Sequence, residues 1–308
     1  MSTPLDSALV DLLRYLPIWW GAFRPYSLTA GLIPVCLGTA LAARGEFHPL
    51  LFILALVGGL AIQIGTNLVN EYYDYVQGVD TLESSGPSRV IQRHLLAPRT
   101  VLTGGLVAFA FGSALGLIIV WQVGWPILLV GVVSVLAGYF YTAAPVALGY
   151  KALGDLAVFV FMGPVMVLAS YYVQLQELAW PPFLASLPVG FLVTAILHAN
   201  NVRDLERDRQ KGKGTLATLL GPKLAVCEYW LLVLGSYAAL LALAASGVLV
   251  WETLLALVSL PAAVRALRVV SSRERSVLRA ASRVSQAMHL QFGLLLTAGV
   301  LVDLAVRR

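Results

Sequence analysis

Residues 50–74 read LLFILALVGGLAIQIGTNLVNEYYD. No charged residue stands between Leu50 and Asn70, and then Glu71 and Asp74 arrive within one turn, with Asp80 just beyond. At 1.5 Å of rise per residue, the uncharged stretch alone covers ~30 Å of hydrocarbon. This stretch decides the fold: a helix crosses a membrane and delivers carboxylates to its boundary. Carboxylates gathered there cost free energy unless something cationic meets them. The arrangement recurs near residue 200, where an apolar run over 183–199 ends in Asn200-Asn201-Val202-Arg203-Asp204-Leu205-Glu206-Arg207-Asp208.

The rest of the chain is of the same kind. It is 59% hydrophobic and 12% charged, with a mean hydropathy of +0.82, which excludes both a soluble globular and a disordered composition. Apolar runs at 26–43, 50–69, 101–120, 125–143, 153–173, 183–199, 224–247, 250–268 and 284–305 predict nine transmembrane helices in an all-α, polytopic protein. Basic residues are retained in cytoplasmic loops. Nine spans put all 21 Lys and Arg on one side except Arg44, Arg307 and Arg308, which predicts a cytoplasmic N-terminus. A basic cytoplasmic face attracts anionic lipid heads and phosphorylated substrates; nothing suggests nucleic acid.

The chain reads as one transmembrane domain over 1–308. Residues 1–24 lack the pattern of a cleaved signal peptide, and Leu9, Leu12, Leu13, Leu16, Trp19 and Trp20 share one face, as in an interfacial segment. Cys36 and Cys227 both fall in apolar spans and read as small core residues. The two acidic clusters are 130 residues apart, measured from Asp74 to Asp204. Four helices separate them, so both emerge on the cytoplasmic side, a faint internal repeat.

Asp204 and Asp208 are i and i+4, and Glu71 and Asp74 are i and i+3, so each pair shares a helix face. Facing sets of hard oxygen donors suit Mg²⁺, which keeps waters and is held by one or two carboxylates plus substrate phosphate oxygens. The lack of a His/Cys cluster argues against zinc. Arg203, Arg207, Arg209, Lys211 and Lys213 in one loop, with Arg89 and Arg93 in the other, add cations to the same face. Acids and bases together fit a metal-bridged diphosphate.

These motifs carry a likeness. Asn67-Leu-Val-Asn-Glu-Tyr-Tyr-Asp74 with Asp80 resembles the first aspartate-rich motif of the UbiA superfamily of intramembrane prenyltransferases, and Asn200 to Gly221 resembles the second. The Asn-Asn-x-Arg-Asp start, the Gly-Lys-x-Thr-Leu stretch and the gap between Asp74 and Asp80 are most similar to the 1,4-dihydroxy-2-naphthoate polyprenyltransferase branch. Arg24-Pro25, Tyr141-Thr142 with Pro145, and Gly154-Asp155 also resemble family positions.

The resemblance implies nine helices around a central cavity open to the membrane, with the motifs at its cytoplasmic mouth. It implies an enzyme of the cell membrane that transfers a polyprenyl group from polyprenyl diphosphate to dihydroxynaphthoate, with loss of carbon dioxide, in menaquinone biosynthesis. Asn70, Asp74, Asp80, Asp204 and Asp208 would hold Mg²⁺. Arg24, Arg89, Lys151 and Arg203 would meet phosphate oxygens, and Asp74, Asp204, Asp208, Arg203 and Lys151 form the expected catalytic set. Asn67, Asn200 and Asn201 join the expected substrate-binding residues. The isoprenoid tail would lie between apolar helices.

Several further residues carry two readings. Tyr72, Tyr73, Tyr139 and Tyr141 either shield a carbocation with their ring faces or belong to an interfacial belt. His198 either shuttles a proton or packs helices, and His289 reads chiefly as packing. Asp155 either orients Lys151 or the acceptor, or caps a helix. Where the family has Asn-Asp, this chain has Asn70-Glu71, so Glu71 is expected to meet metal through water or not at all. Other aromatic acceptors, such as 4-hydroxybenzoate or homogentisate, define the alternative enzyme. A cation-coupled transporter is the alternative class, and it predicts ionisable groups at the bilayer midplane.

Overall fold

The computed structural model describes residues 4–79 and 88–306; the side chains of 4–12 and 14 are not described. Asp80, Arg307 and Arg308 therefore lie outside the described residues, as do the side chains of Leu9 and Leu12.

Helix α1 (Pro4–Phe23) ends at Arg24, whose φ of 55° turns the chain back through Pro25–Leu28 into α2 (Thr29–Ala42). Then come α3 (Pro49–Val76), α4 (Pro98–Val123) and α5 (Trp125–Tyr139). After a run of turns follow α6 (Gly154–Leu175) and α7 (Trp180–Gln210). The last three are α8 (Leu216–Ala245), α9 (Trp251–Val270) and α10 (Ala281–Val306). Eight helices among the described residues are long and apolar enough to cross a membrane. The expected span at 125–143 is shorter: α5 has 15 residues and stops at Tyr139.

Local sequence accounts for the irregular places. Pro164 removes one helical N–H from α6, and the helix widens there to a π-turn over Phe161–Val165. Helix α8 starts at Leu216, before the expected residue 224, behind a Thr215 cap, and the Gly221-Pro222 step kinks it, with φ +77° at Gly221. Between α3 and α4, a Cβ on Gly112 would lie 2.8 Å from the Gly58 carbonyl. Only glycine permits that approach of two backbones.

The main core joins α2, α6, α7, α8, α9 and α10 through side chains such as Leu37, Val167, Leu192, Tyr229 and Phe292. Enclosure is uneven: 72% of the apolar window of α7 is buried, against 22% for α4 and for α6. So α7, which ends in the second motif, is the central helix. On the outer helices Phe111, Leu117, Trp121 and Leu129 are exposed, the apolar surface a lipid environment covers. Cys227 is likewise exposed on α8, not a core residue, because an apolar span can face lipid as well as protein. Helix α1 packs Trp19, Ala22 and Phe23 against α3 and α4, while Leu13, Leu16 and Trp20 stay exposed.

Candidate active site

A cavity of about 860 Å³ opens where the two acidic motifs end. The α1–α2 elbow contributes Arg24 and Ser27, α3 contributes Asn67, Asn70 and Asp74, and α7 contributes Asn200, Asn201, Arg203, Asp204, Arg207 and Asp208. Asp74 stands in the last turn of α3, and Asp204 and Asp208 in the last two turns of α7.

The face of α3 that carries Gln63, Asn67 and Glu71 is a clamp for the elbow. Gln63 Nε2 donates to the Ser27 carbonyl at 2.7 Å, and Asn67 Nδ2 donates to the Phe23 carbonyl and to Ser27 Oγ, each at 3.0 Å. Glu71 is 1% exposed and accepts from Arg24 at 2.8 Å, from Ser88 Oγ, and from the Val90 N–H at 3.2 Å. The carboxylate that departs from the family pattern is thus a buried counter-ion. It ties the elbow and the 88–90 segment to α3, and its oxygens are occupied by protein donors. One residue earlier, Asn70 turns to the cavity and accepts from Thr142 Oγ1 at 2.8 Å, while Asp74 accepts from the Tyr150 hydroxyl.

The second motif keeps its charges within one helix. Arg203 forks onto Asp204 at 3.0 and 2.6 Å, and Arg207 approaches the same carboxylate at 3.2 Å. Asp208 is 2% exposed, and its Oδ1 has no hydrogen-bond partner among the described residues although the side chain lines the cavity. A buried carboxylate oxygen left open is costly unless a ligand completes it. Lys213 Nζ lies 5.0 Å from the centre of the Tyr150 ring, which bridges it toward Asp74.

Of the residues singled out in the sequence, Arg24, Asn67, Asn70, Asp74, Arg89, Tyr141, Asn200, Asn201, Arg203, Asp204 and Asp208 all line this cavity. Four do not. Lys151 is exposed and donates to the Pro145 carbonyl at 3.0 Å, because the turns at 140–152 direct it outward. The Tyr139 hydroxyl pairs with that of Tyr73 at 3.0 Å, edge to face, away from the lining. Asp155 and His198 pair with each other toward α8. His289 is fully buried in α10 and is absent from the lining.

Other lining residues had weaker signals. Arg207 and Lys213 were legible only as basic company; Tyr150, which bonds Asp74 without lining the cavity, was not legible at all. Helix α10 and the residues just before it bring Arg279, Arg283 and Gln286 to the cavity. The Arg279 and Arg283 pair, i and i+4, was legible only as a topology signal.

An apolar chamber of about 390 Å³ lies between α3, α4, α5 and α6 and shares Gly59, Ile62, Ser134, Phe161 and Met166 with the polar cavity. The π-turn of α6 stands at this junction. Gly116 and Gly131 line the chamber, and a Cβ on either would meet nothing within 4 Å.

The model of the UbiA prenyltransferase family matches residues 31–293. The chain belongs to this family. It is 36% identical over 288 residues to "1,4-dihydroxy-2-naphthoate octaprenyltransferase" of Bacillus subtilis, covering 93% of each chain. It is 35% identical over 206 residues to the protein of the same description in Mycobacterium tuberculosis, covering 66% of this chain and 70% of that one. In fold it is similar to a UbiA homologue of Archaeoglobus fulgidus solved with DMAPP and Mg²⁺, at a TM-score of 0.64 and 14% identity over 91% of this chain and 99% of that one. As a member of the family, it is a multi-pass membrane enzyme, a prenyltransferase.

Proposed function

We propose that this chain transfers a polyprenyl group from polyprenyl diphosphate to 1,4-dihydroxy-2-naphthoate with loss of carbon dioxide, a step of menaquinone biosynthesis. One observation carries the reading. Two acidic motifs far apart in sequence share a polar cavity that continues into an apolar chamber, in a chain 36% identical to a relative of that description. Diphosphate suits the first space and an isoprenoid tail the second.

The donor set fits Mg²⁺. Asn70, Asp74, Asp204 and Asp208 offer only oxygen, and the open Asp208 Oδ1 marks a missing partner. No three acidic or histidine side chains of this cavity have ligand atoms within 4.8 Å of one another among the described residues. That spread suits ions that keep water and phosphate as their remaining ligands. When bound, Mg²⁺ supplies positive charge to the oxygens of the departing diphosphate.

Arg24, Arg89, Arg203, Arg207 and Lys213 add fixed cations to the same end, so charge developing on the leaving group meets preorganised donors. The allylic C–O bond breaks, its electron pair leaves with diphosphate, and the ring carbon that bears the carboxylate forms the new C–C bond. The C–CO₂ bond then breaks and returns its electron pair to the ring. Water would capture the allylic cation, and the apolar lining keeps it out. Asn67 holds the elbow that presents Arg24, and Tyr141 offers a ring face beside the cation. Asn200 and Asn201 supply neutral polar contacts.

On this reading the chain acts as a single transmembrane domain, and its basic face supports a cavity mouth at the cytoplasmic side of the cell membrane. A transporter calls for acids at mid-membrane, whereas these stand in terminal helical turns. The test is the purified chain in lipid nanodiscs with labelled prenyl diphosphate and, separately, dihydroxynaphthoate, 4-hydroxybenzoate and homogentisate. Product and carbon dioxide are expected with dihydroxynaphthoate alone, and chelation of Mg²⁺ stops both. Product with another acceptor only would overturn the assignment.

A further inference from the structure

Behind the second motif, α6, α7 and α8 meet around a polar cluster that touches the cavity at one end only. His198 is fully buried there. Its Nδ1 lies 3.0 Å from Asp155 Oδ1, and its Nε2 lies 2.8 Å from the Ala225 carbonyl and 3.6 Å from Glu228 Oε2. A carbonyl only accepts, so Nε2 carries a proton. Nδ1 and Asp155 Oδ1 then hold one proton between them. Whichever atom bears it, Asp155 Oδ2 remains an acceptor. Asn201 Nδ2 donates to that oxygen at 3.4 Å. Asp155 is 4% exposed and Asn201 6%, so water does not compete for these groups. Asp155, His198 and Glu228 have ligand atoms within 4.8 Å of one another, but both imidazole nitrogens are already engaged, which favours positioning over metal binding.

Asn201 is the member of the cluster that lines the cavity. With its NH₂ group turned to Asp155, the amide presents Oδ1, an acceptor, to a ligand. Diphosphate oxygens are themselves acceptors and do not match it. A ring hydroxyl does. We propose that Asn201 Oδ1 accepts a hydrogen bond from a ring hydroxyl of the aromatic acceptor, and that Asp155 and His198 are positioning residues that hold the amide in this orientation. The assignment rests on the aromatic prenyltransferase reading above.

Two measurements on the full-length purified chain test it: direct binding of dihydroxynaphthoate, and the KM for each substrate. Asn201→Ala and Asp155→Ala are expected to weaken acceptor binding on the order of tenfold, the loss of one buried hydrogen bond. Both leave the KM for prenyl diphosphate within roughly twofold. Asp155→Asn is expected to restore acceptor binding, since its amide oxygen still accepts from Asn201 and its NH₂ donates to neutral His198 Nδ1. A role in packing alone would move both KM values together and gain nothing from Asp155→Asn.

Equal losses for both substrates, unchanged acceptor binding in Asn201→Ala, or no recovery in Asp155→Asn each overturn the proposal. If Asp155→Ala fails to fold, Asn201→Ala and Asp155→Asn still decide it. Wild-type protein that binds no dihydroxynaphthoate overturns the functional reading as well, a result distinct from any change confined to the variants.

Discussion

The first and second acidic motifs look alike in sequence and are built in opposite ways. The α3 motif is held by bonds to distant elements: Glu71 to Arg24, Ser88 and Val90, Asn67 to the elbow, Asn70 to Thr142, and Asp74 to Tyr150. The α7 motif largely satisfies itself, with Asp204 clasped by Arg203 and Arg207 one and three residues away, and Asp208 left open to the cavity. The difference is that a carboxylate can serve as a rivet or as a ligand. Completed hydrogen bonding separates Glu71, the rivet, from Asp208, the ligand.

Substitutions can break this comparison. The largest effect on turnover is expected from Asp208→Asn and Asp74→Asn, each lowering kcat by about three orders of magnitude or more, as for lost charge stabilisation at a reacting group. The melting temperature should hardly move. A variant of either residue with full activity, assayed with labelled prenyl diphosphate, would remove it from the ligand set.

Glu71→Leu should do the reverse and act first on stability. Removing one partner of a buried, hydrogen-bonded ion pair costs about 3–5 kcal/mol. Thermal unfolding in detergent checks this, and an unshifted midpoint would mean that Glu71 is no rivet.

A smaller and more selective effect is expected from Gly116→Leu and Gly131→Leu. Both fill open space in the apolar chamber, so kcat/KM should fall roughly tenfold for long prenyl diphosphates and little for geranyl diphosphate, the scale of a few lost methylene contacts. A loss independent of tail length would place the tail elsewhere.

The smallest effect sharpens the distinction between two lysines. Lys213→Ala should raise the KM for prenyl diphosphate several-fold, whereas exposed Lys151→Ala should leave it within about twofold. Equal effects would argue that the turns at 140–152 rearrange when substrate binds.

Much of the bundle was legible because a membrane imposes one-dimensional rules: length of apolar run, charge at its ends, basic residues on one side. Those rules place α3 and α7 and the ends on which Asp74 and Asp208 stand. They failed at α5, where Tyr139 ends the helix before the apolar run does, and at Cys227, because hydropathy does not distinguish a lipid-facing residue from a core one. Within the site, helical spacing grouped Asp204 with Asp208 correctly, since that relation is internal to one helix. It could not tell Glu71 from Asp74, which point about 60° apart around α3 by the 3.6-residue turn and meet different neighbours.

By itself the sequence determined the membrane-spanning architecture, the placement of acids at helix ends and the family, since each rests on local hydropathy or on contiguous motifs. Only the tertiary structure decided that Glu71 is consumed by Arg24, that Lys213 rather than Lys151 reaches the cavity, and that Asp155 and His198 stand behind Asn201 instead of on the lining. These outcomes depend on which elements pack against one another across the bundle, and a side chain's partners are set by that packing.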